Sequence, residues 1–172
     1  MVLKTMAMNI IKKILVTVSI YLIITAVVRG QSLTGEYRAA IGIRAGETSG
    51  ITFKFPTGGG SKVELIAGIW SNWLNLTALY EKNVSAFNVN GMKWYYGGGG
   101  HVAFATGTYN EGRVYTRGDD FAIGVDGVVG LEYKIPPIPF AISVDIKPLL
   151  EIYRNGNVFL GIDPGIGVKF TF

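Results

Sequence analysis

From Tyr37 to the C-terminus, apolar residues alternate with polar or small ones at a period of two, segment after segment. That period sends successive side chains to opposite faces of an extended strand. Helical periodicity is hard to find, and 24 glycines in 172 residues would weaken most helices. The chain is therefore predicted to be all-β. Eight strands are expected, at about 37–46, 49–56, 62–71, 73–82, 92–104, 120–133, 139–149 and 159–172.

The alternation sorts the side chains. Ile51, Phe53 and Phe55 oppose Thr52 and Lys54; Phe140, Ile142, Val144 and Ile146 oppose Ala141, Ser143, Asp145 and Lys147. A soluble β-sandwich would bury the apolar face, whereas a membrane barrel turns it to lipid and keeps a polar lumen. The polar face is rich in glycine and carries both signs of charge. It holds Arg38, Arg44, Lys54, Lys93, Lys147 and Lys169, with Glu64, Asp126, Glu132, Asp145 and Asp163, and His101 in the same phase. Opposite charges in comparable number suit a narrow interior where buried charges must pair. Aromatics gather at strand ends: Phe55, Tyr80, Trp94, Tyr133, Phe140 and Phe170 are expected in one girdle, Trp70, Trp73, Phe104 and Phe121 in the other. These features predict an eight-stranded antiparallel up-and-down transmembrane β-barrel over 31–172.

Residues 1–30 read as a cleavable signal peptide. Lys4, Lys12 and Lys13 precede an apolar run from Ile14 to Val28, and cleavage is expected before Gln31. That run is shorter than the roughly 20 residues a spanning helix needs. The segment also holds Arg29 and no acidic residue, so four of the sixteen basic residues leave with it, and 31–172 balance twelve basic against twelve acidic. Nucleic acid, which requires a gathered basic surplus, is not an expected partner.

The signal peptide, the alternation, the girdles and the terminal Phe172 together resemble the small bacterial outer-membrane β-barrel proteins of the OmpX/OmpA-barrel type, over essentially all of 31–172. The stretches Trp94-Tyr95-Tyr96-Gly97-Gly98-Gly99-Gly100-His101 and Gly130-Leu131-Glu132-Tyr133-Lys134-Ile135-Pro136 are similar to strand segments of that family. The resemblance implies an integral outer-membrane location, outer-membrane lipids as surroundings, and Phe172 as a signal to the barrel-assembly machinery during insertion.

Loops carry function more often than strands. The long connection at 105–119 is polar with scattered tyrosines and is the candidate contact surface for a protein partner. A folded-back turn is expected at 83–91. Pro164 is expected to force a bulge or local break in the last strand, and Gly97–Gly100 to bend strand five or admit a bulky lumen group. No catalytic residue, metal or cofactor is expected. There is no Cys, one His, and no Gly-x-Ser-x-Gly pattern. A His101, Asp126, Ser143 and Asp145 set can be drawn on the lumen face, but paired structural charges explain it. An eight-strand interior has room only for side chains, which disfavours a pore. The expected role is envelope structure or surface binding. An accessory subunit of a larger assembly is the alternative, and a lipid-modifying enzyme a lesser one.

Overall fold

A computed structural model describes residues 36–70, 72–105 and 121–172. The expected signal peptide at 1–30 and nearly all of the loop at 105–119 lie outside them. Eight strands, β1 (Ala40–Gly46), β2 (Ser49–Gly58), β3 (Ser61–Trp70), β4 (Trp73–Ser85), β5 (Met92–Ala105), β6 (Phe121–Ile135), β7 (Phe140–Tyr153) and β8 (Val158–Thr171), pair antiparallel in chain order and close β8 onto β1. Closure leaves no sheet edge along the β1–β8 ladder, and it divides the side chains of every strand into lumen and exterior.

The register fixes the barrel's shape. Ile43 pairs with Val168 across the closing seam. Tracing partners the other way round, from Ile43 through Ile51, Ala67, Leu76, Val102, Ile123 and Ile152, arrives at Val158. Val168 and Val158 are ten residues apart on β8, so the shear is 10. Eight strands with that shear tilt by about 41° from the axis and leave an interior that side chains can fill. Both described chain ends and the turns at 59–60, 86–91 and 136–139 lie at one end, called here the terminal end. The turns at 47–48 and 154–157 lie at the far end.

Glycines permit the tight places. Gly58, Gly59 and Gly60 take positive φ in the β2–β3 turn, the first two with open space around them. The Gly97–Gly100 run does not break β5, which continues from Met92 to Ala105. Its glycines instead let the strand press on its neighbour: a Cβ at Gly97 or Gly99 would collide with the carbonyls of Tyr80 and Ala78 on β4. At 86–91 the turn folds back as the sequence suggests, and the Phe87 ring packs on Trp94 at 5.6 Å.

The expected bulge at Pro164 is absent. The β7–β8 register runs unbroken from Phe140↔Phe170 to Ile152↔Val158, through Ile146↔Pro164. The carbonyls of Pro164 and Val168 point toward β1, so the donor that Pro164 lacks faces β1 as well. There the ladder already ends at Gly46↔Gly165. The interruption falls at Pro148. Its missing N–H faces β6, where pairing skips from Asp126↔Leu149 to Val129↔Ile146 with the register unchanged.

Candidate functional site

The lumen is filled from end to end, in layers set by strand parity. At the terminal end, Lys54 of β2 lies 2.9 Å from Glu64 of β3, 2.7 Å from Glu81 of β4 and 3.5 Å from Glu132 of β6. Lys169 of β8 reaches Glu64 at 3.1 Å and Glu132 at 3.5 Å, and Lys62 approaches Glu132 at 3.5 Å. Three lysines thus face three glutamates. Hydroxyls complete the set: Thr52 donates to Glu64, Tyr37 to Glu132 at 2.6 Å, and Lys169 to Ser143 at 3.3 Å. Tyr37 lies before β1. Burial and the Glu132 carboxylate hold its phenol well above the ordinary value, so it remains a donor. Lys62 covers its ring at 3.6 Å.

A second cluster occupies the half toward the far end. Arg44 pairs with Asp145 at 2.6 Å and Asp163 at 3.1 Å, and also donates to the Thr48 carbonyl at 2.9 Å. Lys147 bridges Asp163 at 3.3 Å and Asp126 at 3.1 Å. Asp126 lies 2.7 Å from His101 Nδ1, while His101 Nε2 lies 3.2 Å from Glu151, whose other oxygen accepts from Tyr153 at 2.9 Å. Both ring nitrogens face carboxylates, and only an imidazolium donates to both. Tyr95 joins the clusters: its hydroxyl donates to Asp145 at 3.0 Å and its ring lies 4.1 Å beneath Lys54. Beside it, Ile66, Leu79, Tyr95 and Val128 form a small apolar layer.

The far end is closed by aromatics. Trp73 meets Tyr153 edge-on at 5.7 Å over Ala103 and Ala122, and Trp70 meets Phe159 at 6.1 Å. This placement corrects two expectations. Trp73, assigned by sequence to a girdle, is 2% exposed inside the mouth, and Trp70 turns toward Phe159 beside it. Their parity is that of the inward residues Asn75 and Glu64, and parity outranks residue type. Arg38 is a third correction. It is exposed, and Tyr37 is buried in its stead, because regular alternation begins only at Ala40. Lys93 sits at the terminal rim, only partly covered, and pairs with Glu36.

The remaining lumen positions named from sequence, Arg44, Lys54, Glu64, His101, Asp126, Glu132, Asp145, Lys147, Asp163 and Lys169, are brought into this network. On the outer surface, Phe55, Tyr80, Trp94, Tyr133, Phe140 and Phe170 stand toward the terminal end. Phe104 and Phe121 pair at the far end with rings 5.4 Å apart. Phe172 closes the seam, exchanging backbone hydrogen bonds with Ala39 at 2.9 Å.

Sequence reasoning missed Lys62, Glu81 and Glu151, all with the inward parity of their strands. Glu151 lies past 149, where the alternation predicts that strand to end, whereas β7 runs on to Tyr153. The drawn His–Asp–Ser set does not assemble: Asp126 meets His101, but Ser143 belongs to Lys169 and Glu151 occupies the other ring nitrogen. Among the described residues, no group of three or more His, Asp or Glu is arranged to hold a metal ion. No protein-family model, curated protein or solved structure matches this chain.

Proposed function

We propose that this chain is a non-enzymatic integral outer-membrane barrel, delivered by a signal peptide at 1–30, that serves envelope structure or binds at the cell surface through its far-end loops, chiefly 105–119. The observation that carries the reading is the inversion of polarity. Outward positions on all eight strands are mainly apolar, with Ile43, Val125 and Leu160 each more than 60% exposed, while cations and carboxylates fill the inside. In water such a surface would aggregate; in a bilayer it is the required one. A lumen crossed by ion pairs and closed by Trp73 and Tyr153 supports a plug rather than a pore. The geometry at His101 supports structure over chemistry, since carboxylates take both nitrogens and, among the described residues, no hydroxyl nucleophile is bonded to the ring.

Membrane fractionation by density, with gel migration before and after boiling, tests the location and the barrel together. A heat-dependent shift in the outer-membrane fraction supports the reading. A soluble protein without a shift ends it. Planar-bilayer recording tests the plug, and steady conductance would contradict it.

The accessory-subunit reading draws support from the 86–91 turn. Phe87, at 67% exposure, and Val89 extend an apolar surface beyond Lys82 at the terminal end. Crosslinking from Phe87→Cys in the native envelope should trap a neighbouring protein if that turn is a contact.

A further inference from the structure

The barrel wall is unequal around its circumference. On β1 the outward apolar band is Ile41, Ile43 and Ala45, and Glu47 ends it; on β2 it runs from Ile51 to Phe55, between Ser49 and Thr57. On β7 it runs from Phe140 to Ile152, and on β8 from Val158 to Phe170, with every outward position apolar. At about 2.5 Å of axial rise per residue in strands tilted near 41°, the first two bands are about 10 Å tall and the last two about 30 Å. The apolar band of a membrane barrel is about 25 Å tall. The bands start together at the terminal end, where Ile41 pairs with Phe170 and Phe170 with Phe140. The deficit therefore lies at the far end, above the β1–β2 turn.

The backbone is incomplete at that same place. β8 continues for seven residues, 158–164, past its last β1 partner at Gly165. The β8 residues whose carbonyls face β1 are even-numbered, as Pro164 and Val168 are. Leu160 and Ile162 thus turn their N–H and C=O groups toward a side where, among the described residues, no strand pairs with them. Hydrocarbon cannot satisfy such groups; each would cost several kcal/mol there. Water and lipid headgroups can.

From the short apolar band and the unpaired β8 edge above it, we infer that the barrel thins the membrane locally, drawing the headgroup and water layer of the far-end leaflet down to the β1–β2 turn while β6–β8 hold a leaflet of full thickness. A second copy of the chain does not fit this edge. Two barrels inserted the same way round would present their β8 strands parallel in sense but crossed by twice the tilt, about 80°, which no ladder tolerates. The thinned wall is an interaction surface for headgroups, set by band height rather than by any one side chain. It rests on the membrane reading above.

The chain has no Cys, so single-Cys spin labels can be placed cleanly. Glu47 and Val125 stand at the same height within about 3 Å when the register is followed around the barrel, and both are exposed. Labels at each, in palmitoyl-oleoyl phosphatidylcholine vesicles, are challenged with oxygen, which concentrates in hydrocarbon, and with a water-soluble nickel chelate. We expect Val125 to collide chiefly with oxygen and Glu47 chiefly with nickel, reversing the ratio at one height. Oxygen dominating at both positions overturns the thinning and leaves the membrane reading intact. Nickel dominating at both overturns the membrane reading itself. Exclusion of both probes at Glu47 shows a protein covering the wall, and overturns the inference too. Amide exchange of the unlabelled protein in the same vesicles provides a second readout. Leu160 and Ile162 should exchange rapidly while Val144 is protected, and protection at all three would refute the open edge.

Discussion

Lys54 Nζ stands 2.7 Å from a Glu81 carboxylate oxygen, and solvent reaches neither side chain. The pair is asymmetric. Lys54 also holds Glu64 and Glu132, whereas neither oxygen of Glu81 makes a well-aligned hydrogen bond among the described residues, and its tie to Lys54 is an ion pair. Lys54→Met leaves three buried carboxylates short of a cation, and should cost about 3–5 kcal/mol. Glu81→Gln leaves Lys54 two carboxylates and should cost less than about 1.5 kcal/mol. Urea unfolding from vesicles measures both. Equal losses would mean that the two residues act only as an isolated pair.

Gly165 is shaped by Arg44. A methyl at Gly165 would lie well inside contact distance of the guanidinium atoms, and that guanidinium is held by Asp145 and Asp163 on two neighbouring strands. Gly165→Ala should therefore destabilise the barrel by about 1–3 kcal/mol. Most of that loss should vanish in an Arg44→Ala background, because the clash is then gone. A double-mutant cycle on unfolding free energies reads the coupling, and strict additivity would rule out the clash as the cause.

His101 offers a related test. If the ring serves as a cation between Asp126 and Glu151, His101→Phe leaves both carboxylates facing an apolar ring. The expected loss is about 2–4 kcal/mol, from two charge-assisted hydrogen bonds and the stranded charges. Lipid mass profiles of cells carrying this variant should be unchanged. A changed profile would instead give His101 a chemical role.

Trp73 fills the far-end mouth against Tyr153, Ala103 and Ala122. Trp73→Ala should cost about 3–5 kcal/mol through the cavity it leaves. It should still produce no steady conductance, because the Arg44 and Lys147 ion pairs lie beneath it. A thermal melt combined with bilayer recording separates the two statements, and a conducting Trp73→Ala barrel would make the aromatic lid the principal seal.

How much of this was legible varies with how local the signal is. Parity within one strand is local: it places Lys54, Glu64 and Asp163 inside, it places Glu81 inside as well within the expected 73–82, and it reaches Glu151 once β7 runs past 149. It also would have turned Trp70 and Trp73 inward, where their aromatic character suggested a girdle. The pairing of Lys54 with Glu132, 78 residues away, was not legible. It depends on the shear accumulated around all eight strands, which no single segment encodes. Arg38 departs for another reason: the alternation predicts a strand from 37, but at 37–39 the backbone is not yet one.

The two strand prolines make the last comparison. Both replace an amide in a strand and both stiffen the unfolded chain, so substituting either shifts that reference similarly. They differ only in where the absent donor points. At Pro148 it faces Gly127 on β6, inside the stretch where the ladder fails. At Pro164 it faces the seam, past the last β1 partner. Pro148→Val should therefore be more stable than Pro164→Val by about 0.5–1.5 kcal/mol, the net worth of a recovered ladder bond. It should also bring the amides of Gly127 and of position 148 itself into slow exchange, while Val128, which faces β5, is unchanged. Urea midpoints and amide exchange on the two variants decide it. If Pro164→Val gained as much, its nitrogen would have to face a partner across the seam, and the β8 edge would be closed rather than open.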